Sequence, residues 1–122
     1  MKRFALLFCA FGLLLAQDQP GNYSIRFEPA ARLQTDVQIP FHIRVSDARD
    51  RRLMDATVTL TIETAAHDSV KVFKAPAIDE GVYVAKPVFP TPGTWEVRID
   101  VRRNNFVSSK TDEYNVPKST EP

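Results

Sequence analysis

Asp79-Glu80-Gly81-Val82-Tyr83-Val84-Ala85-Lys86-Pro87-Val88-Phe89-Pro90-Thr91-Pro92-Gly93-Thr94-Trp95-Glu96-Val97-Arg98-Ile99-Asp100-Val101 is the stretch that decides the fold class. Its second half alternates. Trp95, Val97, Ile99 and Val101 fall on one side, and Glu96, Arg98 and Asp100 on the other. A period of two marks a strand with one buried face. Pro90-Thr91-Pro92-Gly93 fixes two φ angles and frees a third, so the chain must turn there. The stretch predicts a β-hairpin with an arm on each side of that turn. Pro87 has no N–H to give to a ladder, which places the first arm at an edge or a bulge.

The same period recurs on both sides of this stretch. Toward the N-terminus, Val37, Ile39, Phe41, Ile43 and Val45 point one way and Gln38, Pro40, His42, Arg44 and Ser46 the other. Tyr23, Ile25 and Phe27 alternate with Ser24, Arg26 and Glu28, and Pro29 closes that strand. Thr57, Thr59 and Thr61 alternate with Val58, Leu60 and Ile62 over about Ala56 to Glu63. Val70 to Lys74 reads as a strand whose Lys71 and Lys74 protect an edge, and Ala75 to Glu80 as a connector. After Val101, Asn104-Asn105 suits a tight turn with positive φ, followed by a polar strand over about Phe106 to Tyr114. Between these runs, Asp47 to Asp55 is a charged loop in which Asp50 tolerates a left-handed conformation.

About seven short strands, with turn signals roughly every ten residues, indicate an all-β, antiparallel β-sandwich. Its expected core holds Ile39, Phe41, Ile43, Leu60, Ile62, Tyr83, Trp95, Val97 and Ile99. Asp79-x-Gly81-x-Tyr83 also matches the corner of immunoglobulin-like sandwiches, where a tyrosine hydroxyl bonds back to nearby backbone. Ala85 stands where an antibody domain carries cysteine, and Trp95 follows the corner, so the likeness is to the broad sandwich class.

The start of the chain has a different character. Lys2 and Arg3 precede an apolar run from Phe4 to Ala16, the layout of a secretory signal peptide cut after Ala16. The run is short for a span, which needs ~20 apolar residues; an uncleaved anchor is the alternative. The expected organisation is a signal peptide at 1–16, a flexible leader at 17–22, the sandwich at 23–116 and a disordered tail at 117–122. Cys9, the single cysteine, falls within the apolar run. The mature chain then has no disulfide and relies on its packed core. Of 16 Lys+Arg, two leave with the signal peptide, giving 14 against 15 Asp+Glu and a net charge of −1. That balance disfavours nucleic acid or an anionic membrane surface as partner.

From Tyr23 to Val101 the chain resembles the YtkA-like domain family of exported bacterial proteins. The carrying features are the opening alternating strand, Val45-x-Asp47, Asp55-Ala56-x-Val58, Gly81-x-Tyr83-x-Ala85 and Gly93-x-Trp95-x-Val97-x-Ile99. The resemblance implies an immunoglobulin-like sandwich, and some relatives accompany copper-handling or respiratory-oxidase assembly proteins. Two departures are visible. The glycine often found in the turn after Asp47 is missing, with Asp50 as its substitute. The methionine- and histidine-containing stretch often found after the third strand is reduced to His67.

The residues themselves carry little catalytic chemistry. The sequence has no phosphate-cradling glycine loop, paired zinc-ligand spacing or nucleophile elbow. His42 is expected on the polar face of its strand, and His67 in a loop. Arg49, Arg51 and Arg52 form a cluster that either docks an anion or is solvated beside Asp47, Asp50 and Asp55. Tyr83 and Trp95 either pack in the core or form a sugar platform. Soft or borderline metal ligands in the mature chain are Met54, His42 and His67. A strand separates Met54 from His67. Eight strand residues at ~3.3 Å put their backbones roughly 26 Å apart, beyond the reach of ~2.0–2.3 Å metal bonds. The expectation is a non-enzymatic, monomeric domain, periplasmic or extracellular, with no cofactor. It would contact another exported or membrane protein. A copper-handling accessory role is the alternative.

Overall fold

A computed structural model describes residues 19–118. The expected signal peptide at 1–16 and residues 119–122 of the expected tail lie outside the described residues. Nine strands occur among the described residues: β1 (Gln19–Pro20), β2 (Ser24–Pro29), β3 (Phe41–Ser46), β4 (Thr57–Thr64), β5 (Val70–Lys74), β6 (Ala77–Asp79), β7 (Val82–Ala85), β8 (Gly93–Arg103) and β9 (Phe106–Val116). No helix occurs among the described residues. One sheet has five strands in the order β1-β9-β8-β4-β5, and the other four in the order β2-β3-β7-β6. All pairings are antiparallel except β1 on β9. The fold is a β-sandwich, as the alternation implies.

Both sheets turn their apolar faces into one core. Phe41, Ile43 and Val45 of β3 and Tyr83 and Ala85 of β7 face Leu60 and Ile62 of β4 and Trp95, Val97, Ile99 and Val101 of β8. Every expected core residue is buried. Aromatic rings link the layers: Phe27, Phe41 and Tyr114 lie within 5.6–6.4 Å of one another, and Phe41 touches Phe89 at 6.4 Å. Trp95 is fully buried, which removes it as an exposed platform, and its Nε1–H donates to the Thr91 carbonyl at 2.9 Å.

The expected hairpin across residues 79–101 does not form. β7 pairs with β3 and β6, whereas β8 pairs with β4 and β9 in the opposite sheet. Residues 86–92 cross between the layers. Prolines explain why this segment leaves the ladder, since Pro87, Pro90 and Pro92 have no N–H to donate. Its remaining groups bond elsewhere. The Pro87 carbonyl accepts from Ile39 N at 3.0 Å and the Phe89 carbonyl from Asp36 N at 2.9 Å. The Phe89 ring meets Trp95 edge-on at 5.6 Å and closes one end of the core. Gly93 then opens β8 at φ +124, a conformation side-chain-bearing residues rarely adopt.

Smaller differences have local causes. The strand expected from Val37 begins at Phe41, because residues 35–39 are engaged by the crossing segment through Thr35↔Phe89 and Gln38↔Val88. The connector expected at 75–80 contains β6, a three-residue strand whose side chains are all exposed and so carry no alternating burial signal. The leader expected at 17–22 contains β1, and Gly21 N donates to the Val107 carbonyl at 2.8 Å. The left-handed positions foreseen at Asp50 and the Asn turn are present, with φ 64 at Asp50 and φ 58 at Asn104.

Candidate functional site

The outer face of the four-stranded sheet holds the site. One register row runs Arg26 (β2), Arg44 (β3), Val82 (β7) and Asp79 (β6). Alternation turns Ile25, Phe27, Ile43 and Val45 inward, so Arg26 and Arg44 must point outward, and both are exposed. Opposed residues of antiparallel strands have Cβ atoms ~5 Å apart, and like charges there destabilise the sheet. Ser24 opposite Ser46 and Glu28 opposite His42 form the flanking rows. Two adjoining depressions, about 560 Å³ and 200 Å³, share Arg26 and Arg44 in their walls.

A structured loop walls the larger depression. Asp47 Oδ1 accepts from Arg49 N and Arg51 N, each at 2.9 Å, and Arg51 Nε donates to Asp47 Oδ2 at 3.2 Å. The Arg51 backbone bond, foremost, holds the Asp47 carboxyl below its ordinary pKa. Leu53 N donates to the Val45 carbonyl at 2.9 Å, and Ser46 bridges Arg52. Gly81, at φ +69, lies against this loop. A Cβ there would come 2.8 Å from Arg52 Cβ, so only glycine fits without displacement. Arg52 in turn reaches Glu80 at 3.8 Å.

Tyr83 anchors the far end of the loop. Its hydroxyl donates to the Leu53 carbonyl at 3.0 Å and accepts from Ala56 N at 3.3 Å. The tyrosine corner is thus present in function but reaches backbone some 30 residues away in sequence instead of its own neighbourhood. The partner could not be read from the local motif, because tertiary folding brings it there.

The residues singled out from sequence are dispersed. The arginine cluster divides: Arg51 is held by Asp47 and Arg52 by Glu80. His42 is half-buried as the second residue of β3 in the four-stranded sheet. His67 follows β4 of the five-stranded sheet, exposed, with Nδ1 2.8 Å from Glu63 Oε2. That hydrogen bond, with the Glu63 charge, raises the His67 pKa above its ordinary 6.5. Met54 is exposed at the opposite end of β4. Among the described residues no group of three or more His, Cys, Asp or Glu is placed to hold a metal ion. Arg26 and Arg44 were legible only as outward residues of separate strands; their juxtaposition depends on register.

The depression therefore presents guanidinium, carboxylate and hydroxyl groups, which is a chemistry of ion and hydrogen-bond recognition. A family model described as YtkA-like matches residues 17–100, more than half of the chain. No curated protein matches it.

Proposed function

The chain belongs to the YtkA-like family, and from that premise we propose that it is an exported, non-catalytic binding or scaffold module that meets another envelope or secreted protein. Export rests on Lys2, Arg3 and the apolar run from Phe4 to Ala16, the pattern of a cleaved signal peptide. The observation that carries the binding role is the outward pair Arg26 and Arg44 beside a braced loop. Exposed polar groups held on a rigid scaffold are the ordinary means of recognition. A copper-accessory role has less support. His42 lies on β3 of the four-stranded sheet and His67 in the turn after β4 of the five-stranded sheet, and Met54 and His67 flank opposite ends of β4.

Capture from the envelope fraction by the exported protein tests the reading, with a specific, saturable protein partner expected. Titration with Cu(I), Cu(II) and Zn(II) tests the alternative. Stoichiometric binding of submicromolar affinity, abolished by His67→Ala, would overturn the proposal in favour of metal handling.

A further inference from the structure

We infer that the outer face of the four-stranded sheet recognises a carboxylate of a peptide segment, clamped between Arg26 and Arg44. The inference deepens the binding-module reading and rests on it. Among the described residues neither arginine has a carboxylate within ion-pair distance, while Arg51, Arg52 and Arg98 hold Asp47, Glu80 and Asp100. Two guanidinium groups opposed in register repel each other in the free protein. A carboxylate between them replaces that repulsion with charge-assisted hydrogen bonds, and the planar fork of arginine matches the planar carboxylate.

The surrounding charges narrow the ligand. Asp50, Asp79 and Glu80 line the same depression and offset Arg26, Arg44 and Arg52. Those carboxylates repel a doubly charged phosphate more strongly than a singly charged carboxylate, for which the arginine pair supplies the opposite charge. Asp50 and Asp79 also offer acceptors for a donor beside that carboxylate. A peptide bearing glutamate or a terminal carboxylate next to lysine satisfies both signs. The depressions, about 560 Å³ and 200 Å³ and joined at the arginine pair, extend the surface across β2 and β3.

Titration of the exported protein with synthetic peptides tests this. The probes are a Gly/Ser peptide with glutamate beside lysine and an amidated end, its glutamine counterpart with a free terminal carboxylate, the same glutamine peptide amidated, and a phosphoserine version. Either of the first two should bind, and which one binds identifies a side-chain or a terminal carboxylate. Arg26→Gln or Arg44→Gln should weaken that binding about tenfold or more, the scale of one lost charge-assisted bond. Arg32→Gln, at another exposed arginine, should leave it unchanged. The two variants should unfold at no lower denaturant concentration than the parent, which separates lost recognition from lost folding. Binding of the amidated glutamine peptide as tight as that of the carboxylate peptides, tighter binding of phosphoserine, or equal loss in Arg32→Gln would overturn the assignment. Partner capture from the envelope that persists in the Arg26→Gln/Arg44→Gln chain would overturn it too, yet leave the module reading standing. Arginine-dependent peptide binding without any captured protein would support the carboxylate site and sink the module reading.

Discussion

Removing only the hydroxyl of Tyr83 isolates the bond that holds the 47–55 loop to the sandwich. In Tyr83→Phe the ring keeps its place in the core, where Tyr83 is 2% exposed. Two backbone groups lose their partner: the Leu53 carbonyl, bonded at 3.0 Å, and Ala56 N–H, bonded at 3.3 Å. Leu53 is buried at 1% exposure, so its carbonyl has little access to replacement water. An orphaned buried polar group costs about 1–3 kcal/mol. Ala56 is only half-buried and its bond is long, so its loss adds little. The expected destabilisation is therefore about 1–3 kcal/mol, set mainly by Leu53. In a domain of this size each 1 kcal/mol lowers Tm by roughly 4–8 °C. Urea unfolding measures the cost directly, and an unchanged m-value would show that the folded and unfolded states keep their compactness. Amide exchange at Leu53 and Ala56 should accelerate ahead of the β3 and β8 amides, as the loop opens locally. A loss below about 0.5 kcal/mol with unaltered loop exchange would refute the claim that this hydroxyl secures the loop.

Trp95→Ala removes a fully buried side chain and its edge contact with Phe89, and should cost about 3–5 kcal/mol in denaturant unfolding; a change below about 1 kcal/mol would contradict its burial. Gly81→Ala must hold φ +69 and meets Arg52 Cβ at 2.8 Å, so it should lose roughly 1–2 kcal/mol from the left-handed backbone and more from the contact; a neutral result in urea unfolding would mean that the loop yields freely. His67 should titrate above its ordinary value by NMR and return toward it in Glu63→Gln, because the hydrogen bond to Glu63 favours the imidazolium. A raised folded pKa contributes stability fully present below the unfolded value near 6.5 and lost as pH rises through the folded value; a titration unmoved by Glu63→Gln would contradict that pairing.

Side-chain alternation is a local property, and sequence was enough to determine it. Trp95, Val97, Ile99 and Val101 share a face because successive strand residues point oppositely, whatever the strand pairs with. The same rule identified the buried residues of β3, Val58, Leu60 and Ile62 of β4, and the outward positions of Arg26 and Arg44, but it set Thr61 opposite that buried face, and packing buries Thr61 as well. Turn chemistry was equally local: Asp50 and Asn104 take positive φ because their short polar side chains tolerate it. Pairing was not local. The arms flanking Pro90-Thr91-Pro92-Gly93 suited a hairpin by alternation, but only packing decided that β7 and β8 belong to opposite sheets. The gain is Phe89 seated against Trp95 and Phe41, a contact between residues that no period in the sequence relates. Register likewise set Arg26 opposite Arg44, and folding carried the Leu53 carbonyl to the Tyr83 hydroxyl. The sequence thus determined which way the apolar side chains of the regular strands β2, β3 and β8 face. The tertiary structure decided which faces meet, because neighbours across a sheet or a core are chosen by the collective burial of apolar surface and not by either strand alone.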